Sequence, residues 1–142
     1  MTAKPEDPLS HLSGYLLRRA SSAALAGLNG RLEPLGLRHA DVAMLMLIES
    51  RAGVTQSEAG RVLDIQRANM VAFVARLESR DLIRRRQVDG RSQALELTAA
   101  GRMLLKRARR VVSEHEAALL SKVPERLRPM VLPVLTALWQ GG

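Results

Sequence analysis

The chain has 142 residues, 46% of them hydrophobic and none of them cysteine. This composition predicts one folded domain and excludes disulfides and thiolate metal sites. The net charge of +8 lies wholly in the stretch 51–110, which holds 14 Lys or Arg against six Asp or Glu, and such a concentration indicates a surface that binds a polyanion.

The N-terminal third predicts two helices of different character. Residues 1–8 are polar and contain proline, which predicts a flexible tail. Over residues 9–36 apolar side chains recur every three or four positions, which predicts one long helix with an apolar stripe. A second helix is expected over residues 40–52. Its apolar residues cover nearly every face, so it should be buried at the centre of the fold.

Two further helices are predicted in the basic stretch. Thr55 and Glu58 form a capping-box pattern, which predicts a short third helix that ends near Leu63. Asp64 is the expected N-cap of a fourth helix over residues 65–79. Apolar residues at helical spacing give this helix a buried stripe, and its other residues should face outward. The outward residues of interest are Gln66, Arg67, Asn69, Ala72 and Arg76.

A β-hairpin is predicted next, from strand-like runs at residues 83–88 and 92–97. Asp89 and Gly90 lie between them, and glycine is expected to adopt the positive φ that the turn needs. The second strand alternates in the manner of a half-buried edge. Leu95 and Leu97 should be buried, whereas Ala94 and Glu96 should be exposed.

The C-terminal part predicts two more helices. Thr98 is a candidate cap for a long helix over residues 99–122. A last helix should begin at Pro124, with Pro129 and Pro133 kinking it or dividing it into two short pieces. Its inward residues are expected to be Leu127, Met130, Val131, Leu135 and Leu138.

This order of elements is that of a winged helix-turn-helix, so the predicted fold class is mostly α with a small β-wing. In this arrangement the N-terminal half of the second helix of the pair enters the major groove. Gln66 and Asn69 can pair with adenine, Arg67 with guanine, and Arg91 at the wing tip can enter a narrow minor groove. Aromatic residues, on which single-strand binders stack bases, are scarce, so double-stranded DNA is the expected partner.

Four motifs follow one another over about residues 55–101. They are Thr55-Gln56-Ser57-Glu58, the run from Val71 to Arg85, Asp89-Gly90-Arg91-Ser92 and Leu97-Thr98-Ala99-Ala100-Gly101. In the order and spacing of these motifs, the chain resembles the MarR family of bacterial transcriptional regulators. The resemblance implies a homodimer whose N- and C-terminal helices interlock and which binds a pseudo-palindromic operator.

The resemblance also implies domain limits and DNA contacts. The limits are a tail at 1–8, a dimerisation helix at 9–36, a DNA-binding lobe at 37–100 and C-terminal dimerisation helices at 101–142. The wing acid Asp89 is expected to orient the neighbouring arginine. The expected contacts are Gln66, Arg67, Asn69 and Arg76 on the helix, and Asp89 and Arg91 on the wing.

Other residues near these contacts have less specific expectations. Three consecutive arginines, Arg84, Arg85 and Arg86, are expected to contact phosphates, the alternative being a strand edge guarded by charge. The start of the third helix is expected to contact the DNA backbone through Thr55, Gln56 and Ser57. The outward residues Ala68, Ala72 and Ala75 are small where many MarR relatives carry polar side chains, which predicts fewer base contacts and more dependence on DNA shape.

MarR-family proteins often bind a small aromatic or anionic ligand between the dimer helices and the DNA-binding lobe. Polar residues on the first helix are candidates for such a pocket here, and a ligand carboxylate could pair with one of its arginines. The alternative for either arginine is an ion pair between subunits or a solvated rim. The candidates are His11, Tyr15, Arg18 and Arg19.

The sequence therefore predicts a dimeric, sequence-specific DNA-binding regulator, most simply a cytoplasmic repressor released by a small ligand. Neither a catalytic constellation nor a metal-ligand pattern is present, so no enzyme activity, metal or cofactor is expected. The longest apolar run, residues 42–48, is too short to span a membrane. Two alternatives remain open: a dimeric protein-interaction module on the same scaffold, and a non-specific duplex DNA-binding protein.

Overall fold

Six α-helices and one two-stranded antiparallel sheet make up the computed structural model, which describes residues 6–141. Four helices precede the hairpin and two follow it, which confirms the predicted fold class. The bounds are α1 Ser13–Leu32, α2 His39–Ser50, α3 Gln56–Val62, α4 Arg67–Ser79, β1 Ile83–Gln87, β2 Gln93–Leu97, α5 Ala99–Ser121 and α6 Arg128–Gln140, with 3-10 turns at Glu33–Leu35 and Glu125–Leu127. Among the helices within residues 6–141, none has both the length and the apolar character needed to cross a bilayer.

Helix α2 lies at the centre of the fold, as predicted. It packs against α1, α3, α5 and β2, and Met44 and Leu45 are fully buried. Leu77 of α4 and Leu105 of α5 belong to the same core cluster. The apolar stripe of α4 therefore packs into the core cluster to which Met44 and Leu45 also belong, which leaves the opposite face of α4 toward solvent.

The predicted N-cap of α3 is confirmed, whereas the predicted N-cap of α4 is wrong. Thr55 Oγ1 accepts from the Glu58 N–H at 3.2 Å, and the Glu58 carboxylate accepts from the Thr55 N–H at 3.0 Å. Asp64, however, does not cap α4, because it has a φ of 53° at the end of α3. The N-cap is Gln66, with extended backbone, and α4 begins at Arg67. Aspartate is favoured both as an N-cap and in left-handed turns, and the tighter turn prevails here.

The predicted hairpin is confirmed, but its turn is stabilised differently. Gly90 does not adopt a positive φ. Instead, Asp89 Oδ1 accepts hydrogen bonds from the backbone N–H groups of Arg91 at 2.9 Å and Ser92 at 2.8 Å. The side chain of Asp89, rather than the freedom of glycine, holds this turn. The strand register runs from Ile83 opposite Leu97 to Gln87 opposite Gln93.

Strand β2 is not the half-exposed edge that its alternation predicts. Ala94 is fully buried, because the chain before α3 lies along β2. Thr55 forms a bridge with Ala94, and the Leu95 N–H donates to the Val54 carbonyl oxygen at 2.8 Å. The predicted exposure of Ala94 is therefore wrong, since a distant backbone segment covers this edge.

The wing is fixed to the start of α5. Thr98 caps α5 as predicted, its Oγ1 accepting from the Gly101 N–H at 2.9 Å. The Thr98 N–H donates to the Leu82 carbonyl oxygen at 3.1 Å. A Cβ atom at Gly101 would lie 2.0 Å from that same oxygen. The approach of α5 to the wing base therefore requires glycine at this position.

Helix α6 and the start of α1 carry apolar side chains that no other part of residues 6–141 covers. No residue of α6 is buried, and Pro133 lies inside this helix without ending it. The predicted inward packing is wrong for a single chain, because the core closes without α6. Of the five residues predicted to face inward, Val131 is partly buried and the exposed ones are Leu127, Met130, Leu135 and Leu138.

Candidate nucleic-acid interface

A cleft of about 880 Å³ lies between the starts of α3 and α4 and the tip of the hairpin. These three segments are distant in sequence, and each contains predicted DNA contacts. The predicted contacts that line the cleft are Thr55, Gln56, Ser57, Gln66, Arg67, Arg85 and Arg91. Those that lie outside its lining are Asn69, Arg76, Arg84, Arg86 and Asp89.

The start of α4 offers hydrogen-bond donors to this cleft. Gln66 makes no side-chain capping hydrogen bond, and the first turn contains no acidic residue. Among the described residues, the backbone N–H groups of this turn thus have no side-chain acceptor, and they lie at the positive end of the helix dipole. Arg67 and Asn69 are exposed on the same turn. This combination of free donors and positive charge suits phosphate oxygens and base edges.

The arginines of β1 are paired with acids on both faces of the hairpin. Arg85 Nε lies 2.9 Å from Glu78 Oε1, and Arg84 Nε lies 3.2 Å from Glu96 Oε2. Arg86 pairs with the other oxygen of Glu96. The hydrogen bond from Arg86, followed by that from Arg84, holds the pKa of Glu96 below its usual range. The charge of this strand is thus partly neutralised within the chain.

The wing tip presents one arginine without such a partner. Within residues 6–141, the Arg91 guanidinium has neither a hydrogen-bond nor an ion-pair partner. The backbone hydrogen bonds from Arg91 and Ser92 hold the pKa of Asp89 below its usual range. Asp89 therefore acts on the backbone of Arg91, and through it fixes the direction in which the side chain leaves the turn.

Arg76, predicted to contact DNA, is bound within the protein. Its Nη2 atom lies 2.6 Å from Oδ1 of Asp41, a residue of α2 that is fully buried. The guanidinium carbon lies 5.2 Å from the centroid of the Phe73 ring. Arg76 remains partly exposed, but its position is set by contacts with its own chain.

The four candidates for a ligand pocket lie at the exposed start of α1. Tyr15 donates a hydrogen bond to Asp7, and Arg19 Nη1 donates to Tyr15 Oη at 3.1 Å. The Arg18 guanidinium lies 5.4 Å from the Tyr15 ring centroid. His11 lies in the turn before α1 and is exposed. In the single chain these residues line neither the cleft above nor a second one of about 440 Å³ between the end of α1 and α2.

Sequence reasoning missed residues that complete the cleft. Arg61 lines it from α3, one helical turn after Ser57, and Gln87 and Gln93 line it from the two strands. Helical spacing from Ser57 could have identified Arg61. The Oε1 atom of Gln56 is buried without a hydrogen-bond partner in the described part of the chain. The cleft thus contains one more arginine and two more glutamines than the motifs alone indicated, and Gln93 Nε2 donates to Gln87 Oε1 at 3.2 Å.

Comparisons with known proteins match this geometry. A family model described as MarR family matches residues 35–92. The HTH-type transcriptional repressor Rv2887 of Mycobacterium tuberculosis is 30% identical over 112 residues, which cover 78% of this chain and 81% of the relative. The chain belongs to the MarR family. MarR-family proteins are dimeric transcriptional regulators rather than enzymes, so the predicted family and regulatory role are confirmed.

Solved MarR-family structures resemble the whole chain. The transcriptional repressor CouR bound to a 23-mer DNA duplex has 32% sequence identity and a TM-score of 0.88, covering 96% of this chain and 99% of that one. CouR bound to p-coumaroyl-CoA has 32% identity and a TM-score of 0.85, covering 95% of this chain and 97% of that one. The winged helix-turn-helix and its flanking helices therefore both have counterparts in regulators of known structure.

Proposed function

We propose that this protein is a homodimeric repressor that binds a specific DNA duplex through the cleft and is released from it by a small ligand. The observation that carries the proposal is the meeting of Arg67 and Arg91 at one cleft, from segments distant in sequence. A helix start and a loop tip placed together can contact adjacent major and minor grooves. The relative CouR, similar over nearly the full chain, is known in complex with DNA.

Each part of the cleft has its own role in the proposal. Base edges in the major groove are contacted by Gln66, Arg67 and Asn69, whose side chains suit adenine and guanine. Arg91 enters the minor groove, where the negative potential favours arginine. The DNA backbone is contacted by the start of α3 and by the arginines of β1. The residues in this last group are Thr55, Gln56, Ser57, Arg84, Arg85 and Arg86.

Dimerisation in this proposal uses the ends of the chain. Apolar side chains of α6 and of the start of α1 are exposed in the single chain, and a second copy would cover them. The proposed division is a tail at 1–8, of which residues 1–5 lie outside the described part of the chain, a dimerisation helix at 9–36, a DNA-binding lobe at 37–100 and C-terminal dimerisation helices at 101–142. The two α4 helices would then lie about 34 Å apart, one turn of DNA.

A small aromatic or anionic ligand would shift the dimer away from this spacing. The relative CouR is known in complex with p-coumaroyl-CoA. In this chain, His11, Tyr15, Arg18 and Arg19 are the polar groups proposed to contact a ligand once a second subunit packs beside α1. The ligand would weaken DNA binding by its differential affinity for the two spacings. We place the protein in the cytoplasm, with its DNA target.

The deciding experiment is selection of duplexes from a random-sequence pool, followed by competition between the recovered duplex and unselected duplex. A regulator should prefer the recovered duplex by about a thousandfold or more. Equal affinity for both would leave only a non-specific DNA-binding protein. Absence of duplex binding at low salt would leave a protein-interaction module and overturn the proposal.

A further inference from the structure

Arg76 forms an ion pair with Asp41, and a residue that served only to contact DNA would not need this partner. Asp41 is fully buried in α2, and each of its oxygens has a donor. Oδ1 lies 2.6 Å from Arg76 Nη2, and Oδ2 accepts from the Arg38 N–H at 2.8 Å. A buried carboxylate is tolerated only when it is paired and hydrogen-bonded. Arg76 therefore supplies the compensating charge for Asp41.

Arg80, at the C-terminal end of α4, contacts the chain just before α2. It follows Arg76 by one helical turn, and its Nη1 donates to the Gly36 carbonyl oxygen at 2.6 Å. Gly36 has a φ of +65°, and a Cβ atom there would lie 3.1 Å from Arg80 Nη2. The two arginines thus fix the end of α4 to Gly36, in the connection before α2, and to Asp41, in the first turn of α2.

We propose that Arg76 is a positioning residue, which through Asp41 sets the orientation of α4 and does not contact DNA. This proposal rests on the proposed DNA-binding function and replaces the DNA contact that the family resemblance implied for Arg76. The cleft-lining residues of α4 lie at its opposite end. Because the last turn of α4 is fixed, the position of its first turn is fixed as well. The Asp41–Arg76 ion pair therefore affects DNA specificity without contacting DNA.

The charge of Asp41 allows the positioning role to be distinguished from a purely electrostatic effect. Asp41→Asn removes a negative charge from a basic protein, so electrostatics alone predicts tighter DNA binding. The positioning role predicts the reverse for specific DNA: Asp41→Asn and Arg76→Met each weaken binding of the duplex recovered by selection about tenfold. The salt slope of binding to random-sequence duplex stays unchanged in both variants, because in this proposal neither side chain neutralises a phosphate. The double variant loses no more affinity than either single variant, because both substitutions break one interaction.

Arg67→Met is the matched control, since it removes an arginine that lines the cleft. It should weaken binding of the recovered duplex and lower the preference for it over random-sequence duplex, because it removes a base contact. The proposal is overturned if Arg76→Met behaves like Arg67→Met while Asp41→Asn keeps wild-type affinity for the recovered duplex. Together these results would show that Arg76 contacts DNA and that Asp41 has no effect on DNA binding.

Amide hydrogen exchange of the DNA-free protein separates this proposal from the proposed function. Asp41→Asn and Arg76→Met should speed exchange within α4 to the same degree, while Arg67→Met should not. Exchange in α4 at the wild-type rate in both variants overturns the positioning role, whatever the DNA result. A wild-type protein with no preference for the recovered duplex overturns the proposed function, and the exchange rates still decide whether the pair fixes α4.

Discussion

Arg85 on β1 donates a hydrogen bond to Glu78 on α4, with Nε and Oε1 2.9 Å apart. This ion pair joins the wing to the helix whose first turn lines the cleft. Both side chains are about one-third exposed, so the ion pair contributes little to stability and mainly fixes the wing relative to α4. The wing and α4 thus approach DNA as one body.

The pairing of Arg84 and Arg86 with Glu96 leads to the first prediction. Glu96→Gln should tighten binding to random-sequence duplex and steepen its salt slope by about one, because two wing arginines lose their acidic partner near the phosphates. Fluorescence anisotropy at several salt concentrations measures both quantities. Glu116→Gln, an equal charge change on the exposed face of α5, is the control and should have a smaller effect. Equal effects of the two substitutions would show that only net charge matters.

Arg91 gives the second prediction. Arg91→Ala should weaken binding to the recovered duplex by about 1–3 kcal/mol without lowering the unfolding temperature, since the side chain makes no contact that the fold needs. Titration calorimetry and thermal melts supply the two measurements. Arg107→Ala on the exposed face of α5 should retain wild-type affinity. Undiminished affinity of Arg91→Ala would remove the wing tip from the interface.

Gly101 gives a prediction about stability. Gly101→Ala should lower the free energy of unfolding by about 2–4 kcal/mol, because its Cβ would overlap the Leu82 carbonyl oxygen and displace the wing base. Urea denaturation measures this change. Gly14→Ala is the control, since a Cβ at Gly14 meets nothing within 4 Å. A fully stable Gly101→Ala protein would contradict the described approach of α5 to the wing.

The turn at Asp89 predicts a pH dependence. The folded-state pKa of Asp89 is depressed by the backbone N–H groups of Arg91 and Ser92. Its contribution to wing order is therefore present above the unfolded pKa of about 4 and lost as the pH falls through the lower folded value. NMR titration should show a midpoint for Asp89 below that of an unfolded peptide. In Asp89→Ala the wing amides should exchange faster at neutral pH, and a normal midpoint would refute the described turn.

The exposed face of α6 predicts the oligomeric state. The protein should sediment at about twice its chain mass of 15.6 kDa, and Leu138→Glu should weaken the dimer because it places a charge in the apolar face. Sedimentation at micromolar concentration distinguishes the two species. Val88→Glu, a matched change at an exposed wing residue, should leave the dimer intact. A wild-type monomer would contradict the proposed use of α6.

Local chemistry explains which features could be predicted from the sequence. Some features depend only on residues within three positions of each other, so they can be recognised from the spacing in the sequence. These are the Thr55 capping box, the turn at Asp89 and the cap at Thr98. The partner of Arg76 could not be found in this way, because Asp41 lies on another helix and only packing brings them together. The burial of Ala94 has the same cause. For helix α6, the helical spacing of apolar residues predicts a face that is covered, but spacing alone does not tell whether the same chain or a second copy covers it.

The most direct test of the cleft as the DNA-binding surface is amide hydrogen exchange of the wild-type protein with and without the recovered duplex. DNA should slow exchange at residues 55–57, 66–69 and 89–92 together. The exposed turns of α5 should show no such change. Protection confined to α5 or α6, with the three cleft segments exchanging as in the free protein, would contradict DNA binding through the cleft.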